Sequence, residues 1–194
     1  MENIVKKLGG VHRFANDNSD YERTMEFVEN KMGSIPERMV VDFSLQYGNS
    51  VFNNQIVIKS NCQSIFLSDR LVELGLIFGF GSYKRNIMQI IQTYYINEQI
   101  NSRFYPICEG YPGDIIYYSL EKESYGHIFY WHHEAIEELD RFLISDSFYN
   151  FLNGLFVEKN KDTLLDITDE ELIRINKRRV RVGLPLIDKN GNVI

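Results

Sequence analysis

The sequence predicts an α+β chain, on three observations. Apolar residues recur at helical spacing in several stretches, among them Tyr21, Met25, Val28 and Met32. The stretch from Phe104 to Glu134 instead contains three apolar-aromatic runs, Phe104–Cys108, Asp114–Leu120 and Gly126–His133. Runs rich in Ile, Tyr and Phe and bounded by turn residues read as strands. The breaks between them, Glu109–Gly113 and Glu121–Ser124, are too short for parallel crossovers, which need a dozen or more residues. The three runs are therefore an antiparallel meander.

Taken in order, residues 2–18 hold a short helical piece (Ile4, Val5, Leu8) followed by Gly9-Gly10 and a polar run. Ser19 or Asp20 is placed to cap the helix that carries the Tyr21–Met32 stripe, and Gly33 stops it. Pro36 suits the first position of a second helix, whose apolar face is Met39, Val40, Phe43 and Tyr47 and whose end is Gly48-Asn49. Val51–Ile58 is β-like, with a bend at Asn53-Asn54. Ile65–Leu67 reads as a sheet edge or core cover, and Asp69 as the cap of a helical turn through Leu71, Val72 and Leu74. Gly79-Phe80-Gly81 signals close backbone approach or an abrupt turn. Ile87, Ile90, Ile91, Tyr94 and Tyr95 give residues 84–96 a helical face. Ala135–Ile144 is ambiguous between helix and strand. Asp146 or Ser147 opens a helix facing inward with Phe148, Phe151, Leu152 and Leu155. Thr168 and Glu171 have capping-box spacing ahead of a basic tail, and Asn190-Gly191 suits a terminal hairpin.

The chain has 194 residues, 44% of them hydrophobic and 25% charged, a length and balance that fit one soluble domain with a real core. Its formal charge of −6 argues against general nucleic-acid binding, which needs a basic footprint. No apolar run approaches the roughly 18 residues of a membrane span, and the first residues lack the apolar core of a signal peptide. Cytoplasmic residence is the expectation. Cys62 and Cys108 match no metal or redox spacing and read as free buried thiols. No phosphate-binding glycine loop is present, and no cofactor is expected.

Most candidate metal and catalytic residues fall in the meander. Alternation along a strand sends His132 and His133 to opposite faces, and His127 lies about 20 Å from His133 along a strand of about 3.3 Å per residue. On that geometry no metal site is expected. Cys108 beside His133 across neighbouring strands would suggest a thiol nucleophile, but a cysteine inside an apolar strand is more simply core. Glu109, Asp114, Glu121 and Glu123 read as solvated hairpin ends rather than as a buried acid-base pair. No catalytic residue is assigned.

The order of motifs resembles the SUKH superfamily. Gly33-Ser34-Ile35-Pro36-Glu37-Arg38 and Asp42-Phe43-Ser44-Leu45-Gln46-Tyr47-Gly48 are similar to its opening, an acidic helix, a Leu-Pro-Glu-like step and a helix end. Phe104–Glu109, Gly113-Asp114-Ile115-Ile116 and His127–Glu134 look like its meander, and Phe148, Phe151 and Leu152 like its closing helix. The resemblance spans roughly residues 20–157. Ile35 stands where the family usually has Leu, Asn49 follows Gly48 where Asn would precede Gly, and His132 replaces a common Asp.

The resemblance implies a central antiparallel sheet with helices packed on it, over residues 1–160. Residues 161–194 would be a helix and tail packed on or flanking that domain. It also implies no catalysis. Bacterial members act as immunity proteins that bind and block a toxin, often a nuclease, while fungal relatives regulate cell-wall synthesis and signalling. Two protein-binding roles are thus expected, toxin neutralisation first and a regulatory or scaffold role second, with a small hydrolase third. For toxin binding the expected contact residues lie near the meander's turns: Glu109, Tyr111, Asp114, Glu121 and Glu123.

Overall fold

The computed structural model describes residues 1–60, 70–97, 99–135 and 140–158, together with Asp169, Leu172, Ile173, Asn176, Lys177, Leu186 and Asp188. Two compact units are present, Met1–Val157 and Glu158–Ile194. In the second, Asp169, Leu172, Ile173, Asn176 and Lys177 are helical, in the region where a helix is expected. The 168/171 capping box, the 190/191 hairpin, the 65–67 run, Asp69 and Cys62 lie outside the described residues.

The first unit is α+β, with every strand pairing antiparallel. The meander contains β5 (Phe104–Glu109), β6 (Ile115–Ser119) and β7 (Ile128–Trp131), and a fourth strand, β8 (Arg141–Ser145), extends it. The ambiguous 135–144 stretch is thus strand from Arg141 onward. Pro106 sits in β5 beside a register shift between Pro106 and Cys108, the kind of irregular position that tolerates a residue without an N–H. The other edge of β5 is covered by residues 75–78: the Phe78 N–H donates to the Ile107 carbonyl at 2.9 Å and the Glu109 N–H to Leu76 at 2.9 Å.

A second sheet has the order β4–β3–β9, from Leu71–Leu74, Ile56–Lys59 and Leu155–Val157. A small ribbon joins β1 (Val11–Arg13) to β2 (Ser50–Phe52). Leu71–Leu74 is therefore a strand and not the expected helical turn. Its alternation of half-buried, buried, exposed and buried residues has the period of two that a paired strand requires. The bend expected at Asn53-Asn54 separates β2 from β3.

Helix α1 is Glu2–Lys7, α2 Tyr21–Met32 and α3 Arg38–Tyr47. Gly33 ends α2 in the left-handed region at φ 68°, with its N–H on the Glu29 carbonyl at 2.8 Å. Asp20 holds the N-cap position but makes no capping bond with its side chain; its carboxylate accepts from the Gly81 N–H instead. Pro36 lies just ahead of α3, whose N-cap is Glu37. Helix α4 (Ile87–Ile91) opens with the Asn86 side chain accepting from the Gln89 N–H, and continues as a π-helical turn over Gln92–Ile96. Helix α5 (Phe148–Gly154) opens with Ser147 accepting from the Asn150 N–H.

These helices bury Val40, Phe43, Ile87, Ile90, Ile91, Phe148, Phe151 and Leu152 against the strands. Phe43 and Phe148 meet edge to face at 5.5 Å. The close approach expected at Gly79 is real. A Cβ there would lie 2.8 Å from the Cα of Gly48 and from the backbone nitrogen of Asn49, so glycine is what lets the end of α3 touch the chain before α4. Asn49, not a glycine, takes the left-handed turn at φ 57° and anchors it by donating to the Phe80 carbonyl at 2.7 Å.

Candidate functional site

The pairing of β6 with β7 places Ile115 opposite Trp131. One step outside that pair, the same register brings Asp114 opposite His132. Strand β7 ends at Trp131, so His132 and His133 no longer follow the alternation that would send them to opposite faces. Both turn to Asp114. His132 Nδ1 lies 2.9 Å from Asp114 Oδ2, and His133 Nδ1 lies 2.6 Å from Oδ1. The His133 backbone N–H donates to Oδ1 at 3.1 Å, and the Tyr130 hydroxyl donates to Oδ2.

Asp114 is 1% exposed. Burial pushes its carboxyl pKa up, but the hydrogen bonds from His133, Tyr130 and His132 outweigh that and hold it below the ordinary carboxylate range. The ionised form is thus the one the site is built for. Gly113 precedes it at φ +99°, where a Cβ would come within 2.8 Å of the His133 ring. Glycine is required there both for the backbone and for the imidazole's seat.

The expectation that the histidines lie too far apart for chelation fails for this pair. One donor atom from each of Asp114, His132 and His133 falls within 4.8 Å of the others. His127, near the opposite end of β7, takes no part. Sequence reasoning missed the cluster because it carried strand geometry through His133. The hairpin register was the signal available: the first residue before β6 must face the first residue after β7.

His133 also lines a groove of about 630 Å³, with Tyr94, Gln99, Asn101, Gly113, Trp131, Ala135 and Asp140. The Trp131 indole N–H donates to Asp140 at 2.9 Å, and its ring meets Tyr94 edge to face at 5.3 Å. An ionised carboxylate, two imidazoles and an aromatic wall can hold a cation, orient a proton carrier, or simply clasp the strand ends.

The five residues expected to contact a partner do not share a surface. Glu109, Tyr111 and Asp114 belong to the β5–β6 turn, and Glu121 and Glu123 to the β6–β7 turn. A meander puts successive turns at opposite ends of its strands, here about 20 Å apart for the six steps from Asp114 to Leu120. Asp114 is buried and cannot be a contact residue. Glu109 is largely covered and paired with Arg85. Glu121 accepts from the Arg103 backbone N–H at 2.7 Å. Tyr111, 67% exposed, and Glu123, also exposed, remain open to solvent.

The β6–β7 end carries something else. The Tyr125 hydroxyl donates to the Ile35 carbonyl at 2.9 Å, setting two exposed apolar residues side by side, with Met39 four residues further on. They are 42%, 47% and 38% exposed respectively. Glu37, Glu121 and Glu123 surround them in sequence.

Cys108 is fully buried in β5, and burial pushes its thiol pKa well up, against the thiolate that nucleophilic attack needs. It pairs with Ile116 of β6, and β6 lies between it and β7. The supposed Cys108–His133 juxtaposition across neighbouring strands does not occur. Among the described residues no helix is long and apolar enough to cross a membrane.

In comparisons with known proteins, no family model matches this sequence and no curated protein matches it.

Proposed function

We propose that this chain is an immunity-type protein that neutralises a bacterial toxin by stoichiometric binding through the β6–β7 end of the meander. The observation that carries the reading is the pair of exposed residues Ile35 and Tyr125, joined by a hydrogen bond, with exposed Met39 close by in sequence. Single exposed apolar residues are ordinary on a protein surface, but grouped ones with a polar rim suit a partner. Tyr125 supplies an amphipathic anchor of the kind that dominates interface energetics. The flanking Glu37, Glu121 and Glu123, and the formal charge of −6, favour approach of a basic partner such as a nuclease. The motif order of the SUKH superfamily supports the same role.

The test is co-expression with the toxic domain encoded by the adjacent gene. The chain restores growth, and the two proteins co-purify. Substituting Ile35→Asp together with Tyr125→Ala abolishes rescue, while Tyr111→Ala at the other end leaves it intact. Failure of the unaltered chain to rescue overturns the toxin reading in favour of a regulatory partner. Rescue by the double variant overturns the surface.

A further inference from the structure

We propose that Asp114, His132 and His133 form a site for one divalent transition-metal ion of the zinc class. The ligands would be the Asp114 carboxylate and the Nδ1 atoms of both imidazoles, with the fourth position open to water. Two imidazoles and a carboxylate are the donor set that zinc takes in three-ligand sites. These three lie at the end of a paired β-ladder, a rigid base of the kind metal geometry needs.

One donor atom from each residue lies within 4.8 Å of the others, so modest rotations of the side chains bring the set to zinc spacing. Zinc bonds of about 2.0–2.2 Å at tetrahedral angles separate neighbouring ligand atoms by about 3.3–3.5 Å. His133 Nδ1 stands 2.6 Å from Oδ1 and His132 Nδ1 2.9 Å from Oδ2, so an ion held between the two rings and the carboxylate requires each ring to withdraw by roughly half an ångström or more from its present oxygen. His133 borders the groove and has room to move. Each Nδ1 offers its lone pair once the ring proton sits on Nε2, so binding needs a tautomer change rather than a new group. Two bonds to Asp114 survive that change: the Tyr130 hydroxyl on Oδ2 and the His133 N–H on Oδ1. Outer partners of this kind orient a ligating carboxylate.

The ion would sit beside Trp131, the only tryptophan in the chain, which gives a direct readout. Untagged full-length protein is titrated with Co²⁺ while tryptophan emission and visible absorption are followed, and with Zn²⁺ by calorimetry. The expected result is saturable quenching at one ion per chain, with the intense visible bands of four-coordinate cobalt, reversed by excess Zn²⁺. His132→Gln and His133→Gln each weaken binding by more than about tenfold, the size of effect that losing even an outer partner produces. His12→Gln, remote from the cluster, binds as the unaltered chain does. Absence of saturable quenching in the unaltered chain overturns the site, whether or not the variants fold. Equal binding by the unaltered chain and the folded histidine variants does so as well, and leaves the cluster a hydrogen-bonded clasp.

Discussion

At the scale of single residues, the two cases that matter most are a glycine and a cysteine. Gly79→Ala would drive a methyl group into the backbone at Gly48-Asn49, where no side chain can yield. Overpacking of this sort destabilises by about 1–3 kcal/mol, and a lowered urea midpoint with unchanged slope would register it. Cys108 should resist alkylation in the folded protein and react within the dead time once denatured, read by mass spectrometry of its own peptide so that Cys62 does not interfere. Its buried thiol and the buried hydroxyls of Tyr105 and Tyr118 all have pKa values raised chiefly by burial. A neutral group with a raised folded pKa supports the fold fully below its unfolded pKa and loses that support as pH rises beyond it. Stability is therefore expected to fall above about pH 9 and further above about pH 10, the unfolded values for thiol and phenol. Urea midpoints between pH 7 and 11 measure this.

At the scale of elements, helix ends and strand ends behave differently. Ser147 caps α5 through its hydroxyl, and Ser147→Ala is expected to remove about 1 kcal/mol. That corresponds to a fall in Tm of about 2–4 °C for a chain of this size, measured by thermal unfolding. This cap was legible in the sequence because Ser147 precedes an apolar helical face. Asp20 was legible as a position but not as a bond, since its carboxylate serves Gly81 across the fold. The meander was legible because the turn residues and aromatic runs of 104–134 specify pairing locally. Leu71–Leu74 was not, because four residues fit either period and only pairing with β3 selects the strand. The Asp114 cluster depends on where β7 stops, a boundary set by tertiary pairing and not by any residue at the end itself.

At the scale of the whole molecule, the Met1–Val157 unit closes with β9 on β3. A chain ending near residue 160 should unfold cooperatively, while one ending before Leu155 exposes the β3 edge and aggregates. Circular dichroism and light scattering distinguish the two. Association with a basic partner should slow as salt is raised, since charges of opposite sign accelerate encounter and salt screens them within about 10 Å at 0.1 M. The dissociation rate should instead respond to the apolar patch. Replacing Ile35 by Asp there is expected to weaken binding by about 2 kcal/mol or more, roughly thirtyfold in Kd.

The meander's turns point in opposite directions, and the strands between them are packed on both faces by buried aromatic residues. A visitor seated on one end cannot shade the other. The surface around Tyr125 and the histidine pair beside Trp131 are thus free to change independently of each other. Substitutions at the first end leave the second undisturbed.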